Sequence, residues 1–367
     1  MMAVLPPDHP PVLPEKVGVL LLNLGTPDST GYWDMRRYLK EFLSDRRVIE
    51  VNPIFWKILL NVVILTKRPF SSGEAYESIW DHERNESPLR TITRDQTEKL
   101  GARFKEQFGD QVVVDWGMRY GNPTTASKIK ALQDKGCQRI VIFPLYPQYA
   151  AATTGTACDH AFRALMNIRW QPAIRTVPAY HDHQAYIRAL ANSVHRHLET
   201  IDWQPDVLVT SFHGVPKRYL LAGDPYHCQC QKTARLLREE LGWSEDKLKI
   251  AFQSLFGKEE WLRPYTVEHV ADLARQGKKK LAIIAPGFSA DCVETLEEIQ
   301  EEIREAFEHA GGEHFTYIPC LNANDDHIDL LADIATQNLS GWVGAADSVD
   351  LAQEPGPDLA AVSGGRG

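Results

Sequence analysis

"KVGVLLLNLGTP", residues 16–27, is a continuous apolar run of strand length closed by glycine and proline. A strand buried on both faces reads this way because neither side of its pleat meets water, and such strands belong to parallel sheets covered by helices. The signature returns in "QVVVDWGMRYGNP" (111–123) and "QRIVIFPLYPQY" (138–149), and again in "DVLVTSFHGVP" (206–216), "LKIAFQSLFG" (248–257) and "KKLAIIAPGFS" (279–289). Amphipathic patterns separate the runs: "TACDHAFRALMNI" follows the third and "DCVETLEEIQEEIREAF" the sixth. The order of signals is the same in both halves. It predicts an α/β protein of two Rossmann-like, doubly wound lobes with parallel sheets and a cleft between them. The lobes are expected at 16–175 and 176–338, with a flexible N-terminus over 1–15 and a disordered Gly-, Pro- and Asp-rich tail over 339–367.

A chain of 367 residues with 43% apolar content fills two cores of ordinary size. Its net charge of -9 and its lack of Lys/Arg blocks exclude a nucleic-acid partner, because phosphate binding needs a concentrated basic surface. The Pro-rich start lacks a basic n-region, so a cytoplasmic protein is expected. Six cysteines in an intracellular chain of this size read as free thiols or metal ligands. The most apolar stretch, "IFWKILLNVVIL" (54–65), is broken by Lys57 and Asn61 and is too short to span a membrane.

In doubly wound sheets ligands bind beyond the carboxyl ends of the strands, which makes the strand exits the candidate site. No GxGxxG or GxxxxGK[ST] is present, so the ligand is no ordinary nucleotide. His213 stands at such an exit, before Gly214, where a neutral imidazole can bind metal or accept a proton near neutral pH. His181, His183, His195 and His197 read as solvated surface by comparison. The helix from Ser289 has a core stripe of Val293, Leu296, Ile299, Ile303 and Phe307, with Asp291, Glu294, Glu298, Glu301 and Glu305 opposite. The first three acids fall where the helix meets the cleft; the last two read as a solvated face. Arg119, Tyr120, Tyr146, Tyr149, Trp261 and Phe288 crowd the same exits, a composition that suits a flat, aromatic, acid-bearing ligand.

Taken in order, "LLNLGTP", "RYGNP", "YPQYAAATTG", "SFHGVP", "GDPY", "QSLFGKEEWLRPYT", "GFSADCVETLEEI" and "PCLN" resemble the ferrochelatases, from about Val17 to about Leu331. The resemblance implies a chelatase-like fold that clamps protoporphyrin IX between its lobes and inserts ferrous iron. It implies catalytic roles for His213 and Glu294, and a metal path through His213, Glu294, Asp291 and Glu298. It places Leu24, Arg68, Ser87, Arg119, Tyr120, Tyr149, Trp261 and Phe288 in segments that contact or frame the macrocycle. Residues 54–70 fall where the family carries an apolar lip, and the stretch has the features of an interfacial element, so transient contact with a membrane surface is expected.

Some family members bind a [2Fe–2S] cluster through cysteines near the C-terminus. Here the last cysteine is Cys320, so that set is absent; Cys158, Cys228, Cys230 and Cys320 remain as candidate cluster ligands. The same two halves also suit a chelatase for coproporphyrin or cobalt, or a non-catalytic haem or metal carrier.

Overall fold

The computed structural model describes residues 8–10, 12–257 and 259–344, whose eight strands form two four-stranded sheets. In the first sheet β1 (Lys16–Thr26) lies between β2 (Val112–Gly121) and β3 (Cys137–Pro144), and β4 (Ala173–Thr176) adds to the β3 side. In the second, β5 (Val207–His213) lies between β6 (Leu248–Gln253) and β7 (Lys280–Ile284), and β8 (His314–Ile318) adds to the β7 side. Every neighbouring pair is parallel. Two lobes of one strand order are therefore present, as the repeated apolar runs predict.

The six long runs became the two inner strands of each sheet, β1 and β3, β5 and β7, and the edge strands β2 and β6. The outer strands β4 and β8 gave no such run, because a short edge strand keeps one side in water. The lobes share one continuous apolar core, in which Leu21 and Phe143 of the first sheet join Phe212 and Phe252 of the second.

The last helix, Asp325–Leu339, packs against the helices Pro88–Phe108 and Gln184–Leu198, one from each half. Arg175 holds its end by donating to the carbonyls of Asn338 (2.6 Å) and Ser340 (2.8 Å). The same guanidinium lies 4.1 Å from the centre of the Trp342 ring. Ordered contacts thus run past the expected tail boundary at 339. The rest of the expected tail, 345–367, and the first seven residues of the expected flexible N-terminus lie outside the described residues.

Three helical segments widen into π-turns, at Leu60–Ile64, Ala151–Gly155 and Glu298–Ile303. Such turns carry an extra residue per turn and shift which side chains share a face. Among the described residues no helix is long and apolar enough to cross a membrane.

Candidate active site

The carboxyl ends of the strands open on a cavity of about 1160 Å³ between the lobes. Asn23, Leu24, Tyr146 and Gln148 line it from the first lobe, and His213, Gln253, Phe288 and Glu294 from the second.

His213 ends β5, half-buried, with Gln253 beside it in the ladder. Gly214 is required next: a Cβ there would stand 2.8 Å from the Gln253 carbonyl oxygen. The imidazole Nδ1 lies 2.7 Å from the Gly214 carbonyl oxygen, and a carbonyl can only accept. That bond places the proton on Nδ1 and leaves the Nε2 lone pair available. Behind it the Tyr226 hydroxyl donates to the His213 carbonyl at 2.9 Å.

The carboxylates come from the segment that begins with Val293–Leu296 and continues through the π-turn Glu298–Ile303. Glu294, Glu297, Glu298 and Glu302 line the cavity. Glu298 accepts from the Ser254 main-chain N–H (2.6 Å), the Ser254 hydroxyl (2.6 Å) and the Gln253 amide (3.1 Å). Burial raises its pKa, while these hydrogen bonds and nearby His213 pull the other way. Glu297 is pushed up to about 7, by burial first and then by the neighbouring glutamates.

Glu301 and Glu305 are exposed, as expected of a solvated face. The π-turn rotates the later residues of the segment and brings Glu302 to the cavity, which a regular helical period does not foresee. Glu297, also absent from that reading, faces the cavity. Asp291 departs further: it is 6% exposed, lies outside the lining, and its carboxylate accepts from Tyr317, Thr295, Asn322 and the Cys320 N–H.

Leu24, Arg68, Trp261 and Phe288 line the cavity, and Arg68 sits at its rim, 4.9 Å from the Phe256 ring centre. The other four expected porphyrin contacts do not reach it. Ser87 is buried as the N-cap of Pro88–Phe108. Arg119 and Tyr120 are buried around Asp45, Arg119 pairing with it at 2.5 Å and Tyr120 donating to it at 2.8 Å. Together with Thr156 and Arg47 these bonds hold the Asp45 carboxyl below its usual range, against the opposing pull of burial. Tyr149 turns its hydroxyl towards Gly155. A strand alternates its faces, and the exit motif "RYGNP" gives no sign of which face its side chains take.

The cysteines stand apart as well. Cys228 is exposed and Cys230 buried, because residues two apart on a helix do not share a face. Cys158 lies on the Thr156–Met166 helix of the other lobe, and Cys320 is buried beside Tyr317. Among the described residues no group of three or more His, Cys, Asp or Glu side chains is gathered for a metal ion.

A family model described as Ferrochelatase matches residues 16–339. The curated "Ferrochelatase" of Rhodobacter capsulatus is 62% identical over 339 residues, 92% of this chain and 97% of its own length. The chain belongs to the ferrochelatase family. A second relative, the "Ferrochelatase" of Agrobacterium fabrum, is 58% identical over 342 residues, 93% of this chain and 99% of its own length. Among solved structures, "SirB from Bacillus subtilis with Fe3+" is similar with a TM-score of 0.53 at 12% identity, covering 89% of this chain and 96% of that one. The cobalt complex of the sirohydrochlorin chelatase SirB from Bacillus subtilis subspecies spizizenii gives 0.51 at 10% identity, over 88% and 94% of the two chains. At these identities the likeness speaks for the fold alone, and it is a chelatase fold. As a ferrochelatase-family enzyme the chain is a lyase of haem biosynthesis with ferrous iron as its metal substrate, which removes the non-catalytic carrier.

Proposed function

We propose that the enzyme inserts Fe2+ into protoporphyrin IX, with the halves 16–175 and 176–338 as the two walls of the clamp. The observation that carries this reading is His213: its Nδ1 is engaged by Gly214, and its remaining lone pair belongs to a cavity that it shares with Glu294 and Glu298. Metal insertion releases two pyrrole protons, and Fe2+ takes the four ring nitrogens. His213 accepts one pyrrole proton at Nε2, and the Glu294 carboxylate accepts the other on the acidic side, each passing it on to solvent before the next turnover. Glu297, with a pKa of about 7, exchanges protons with solvent at neutral pH. Leu24, Trp261 and Phe288 hold the ring by contact and stacking and favour a bent macrocycle whose nitrogen lone pairs face the metal.

Ile54, Phe55, Ile58, Val62, Val63 and Phe70 stand exposed on the lip beside the cavity mouth. An apolar surface of this kind suits a membrane interface from which the least polar substrate arrives, and it favours protoporphyrin IX over coproporphyrin. The test is anaerobic incubation of the purified protein with Fe2+ and protoporphyrin IX. Appearance of the haem spectrum at a rate proportional to enzyme is expected; its absence, or turnover of coproporphyrin alone, rejects the assignment.

A further inference from the structure

We infer that Asp291 is a positioning residue for the Glu294 turn and not a ligand of the iron. This rests on the reading of Glu294 as the catalytic carboxylate.

Four donors converge on the Asp291 side chain. Oδ1 accepts from the Tyr317 hydroxyl (2.6 Å), the Thr295 hydroxyl (3.1 Å) and the Cys320 N–H (3.3 Å), and Oδ2 from the Asn322 amide (2.6 Å). A carboxylate oxygen offers about two acceptor sites, so Oδ1 is filled by its donors, while Oδ2, bound by Asn322, belongs to a buried side chain outside the cavity lining, where it does not meet a metal in the cavity. Its neighbours explain what it does instead. Thr295 directly follows Glu294, and its hydroxyl also receives the Cys292 N–H at 3.0 Å, closing the first turn of the helix that carries the catalytic carboxylate. Tyr317 comes from the end of β8. Asn322, at φ 47°, returns a bond by accepting from the Asp291 N–H at 2.9 Å.

The brace continues into the other lobe. Gln96, fully buried on the helix Pro88–Phe108, donates to the carbonyls of Ser289 and Asn322, each at 3.0 Å. Asp291 therefore stands where the turn bearing Glu294, the exit of β8 and a helix of the opposite lobe are tied together. A side chain held from so many elements fixes the direction in which residue 294 leaves the backbone. Preorganisation of this kind acts on the transition state and leaves ground-state metal affinity alone.

The test compares Asp291→Asn, Thr295→Val, Thr295→Ser and Glu294→Gln in steady-state insertion of Fe2+, alongside thermal unfolding and porphyrin titration. Positioning predicts that Asp291→Asn and Thr295→Val each lower kcat by about tenfold or more while the KM for Fe2+ stays within about twofold. Thr295→Ser, which keeps the hydroxyl, returns kcat to near the wild-type value. A ligand role predicts a KM for Fe2+ raised about tenfold in Asp291→Asn and no loss in Thr295→Val; that result overturns the inference. Should Asp291→Asn fail to fold, the Thr295→Val and Thr295→Ser pair decides alone: a wild-type kcat in Thr295→Val overturns it, and a loss rescued by serine supports it. Glu294→Gln separates the two levels. If it keeps the wild-type kcat, the reading of the site has failed; if it is inactive while Thr295→Val is not, only the positioning role has.

Discussion

The side-chain amide of Gln253 donates to the main-chain carbonyl of Glu294 at 2.6 Å. Gln253 ends β6, beside His213 in the ladder, and its Oε1 accepts from the Ser211 hydroxyl at 2.6 Å. One buried side chain thus spans from the strand that carries the histidine to the helix that carries the carboxylate. Gln253→Leu removes the link and takes this donor from the Glu294 carbonyl, while Ser211 keeps Thr266 (2.9 Å) and Glu298 keeps Ser254. A loss of about 1–3 kcal/mol in stability is expected. The lost anchor should also lower kcat more than it raises KM for porphyrin. Denaturant unfolding and steady-state kinetics check both; a variant with wild-type kcat would show that the helix is held without this bond.

Glu297 gives a prediction in pH. Folding raises its carboxyl pKa from 4.5 to about 7, so the folded chain binds this proton more tightly than the unfolded one. Between those values the unfolded state holds fewer protons, and stability falls as pH rises through the interval. Glu297→Gln removes the term. Its melting temperature should exceed that of the wild type near pH 8 and match it near pH 4, as read by calorimetry. A difference of the opposite sign near pH 8 would mean that the charged glutamate has a stabilising partner.

The lip separates contact with lipid from ordinary packing. Phe55 and Ile58 are 66% and 62% exposed, whereas Trp56 is half-buried, with its indole N–H donating to the Leu43 carbonyl at 2.7 Å. Phe55→Glu/Ile58→Glu should keep the wild-type melting temperature and lose binding to anionic liposomes in a sedimentation assay. Unchanged sedimentation would assign these side chains to another role.

The inner strands were legible in the sequence because burial on both faces leaves an unbroken apolar run, as in Val19–Leu22, all fully buried. His213 was legible for a related reason: a strand that ends in histidine and glycine has a definite exit. Side-chain direction at the other exits was not. Arg119 has the composition of an anion-binding residue, yet its partner is Asp45, which lies 74 positions earlier and carries no local mark. Glu302 was hidden by backbone geometry, since a regular helical period projects the wrong face wherever a π-turn intervenes. Asp291 sits at the right spacing for a cavity-facing acid; only the fold shows that its partners come from β8 and the loop behind it.

The proton path gives the sharpest test. Removing the imidazole in His213→Ala, or the charge in Glu294→Gln, should each lower kcat by about 10² to 10³, or about 3 to 4 kcal/mol of transition-state stabilisation. Porphyrin binding should persist in both, because the contact surface of Leu24, Trp261 and Phe288 is untouched. If the two residues serve one sequence of proton transfers, disabling either already abolishes it. The double variant should then be little slower than the worse single one, whereas independent contributions would multiply. Glu301→Gln supplies the contrast: the residue is exposed, lies on the same helical segment and is outside the cavity lining, so kcat should stay within about twofold. Single-turnover absorbance after rapid mixing with Fe2+ separates insertion from product release, so a slow release step cannot mask the loss. Full additivity in the double variant would place His213 and Glu294 on separate steps, and a wild-type insertion rate in His213→Ala would return that side chain to packing at the end of β5.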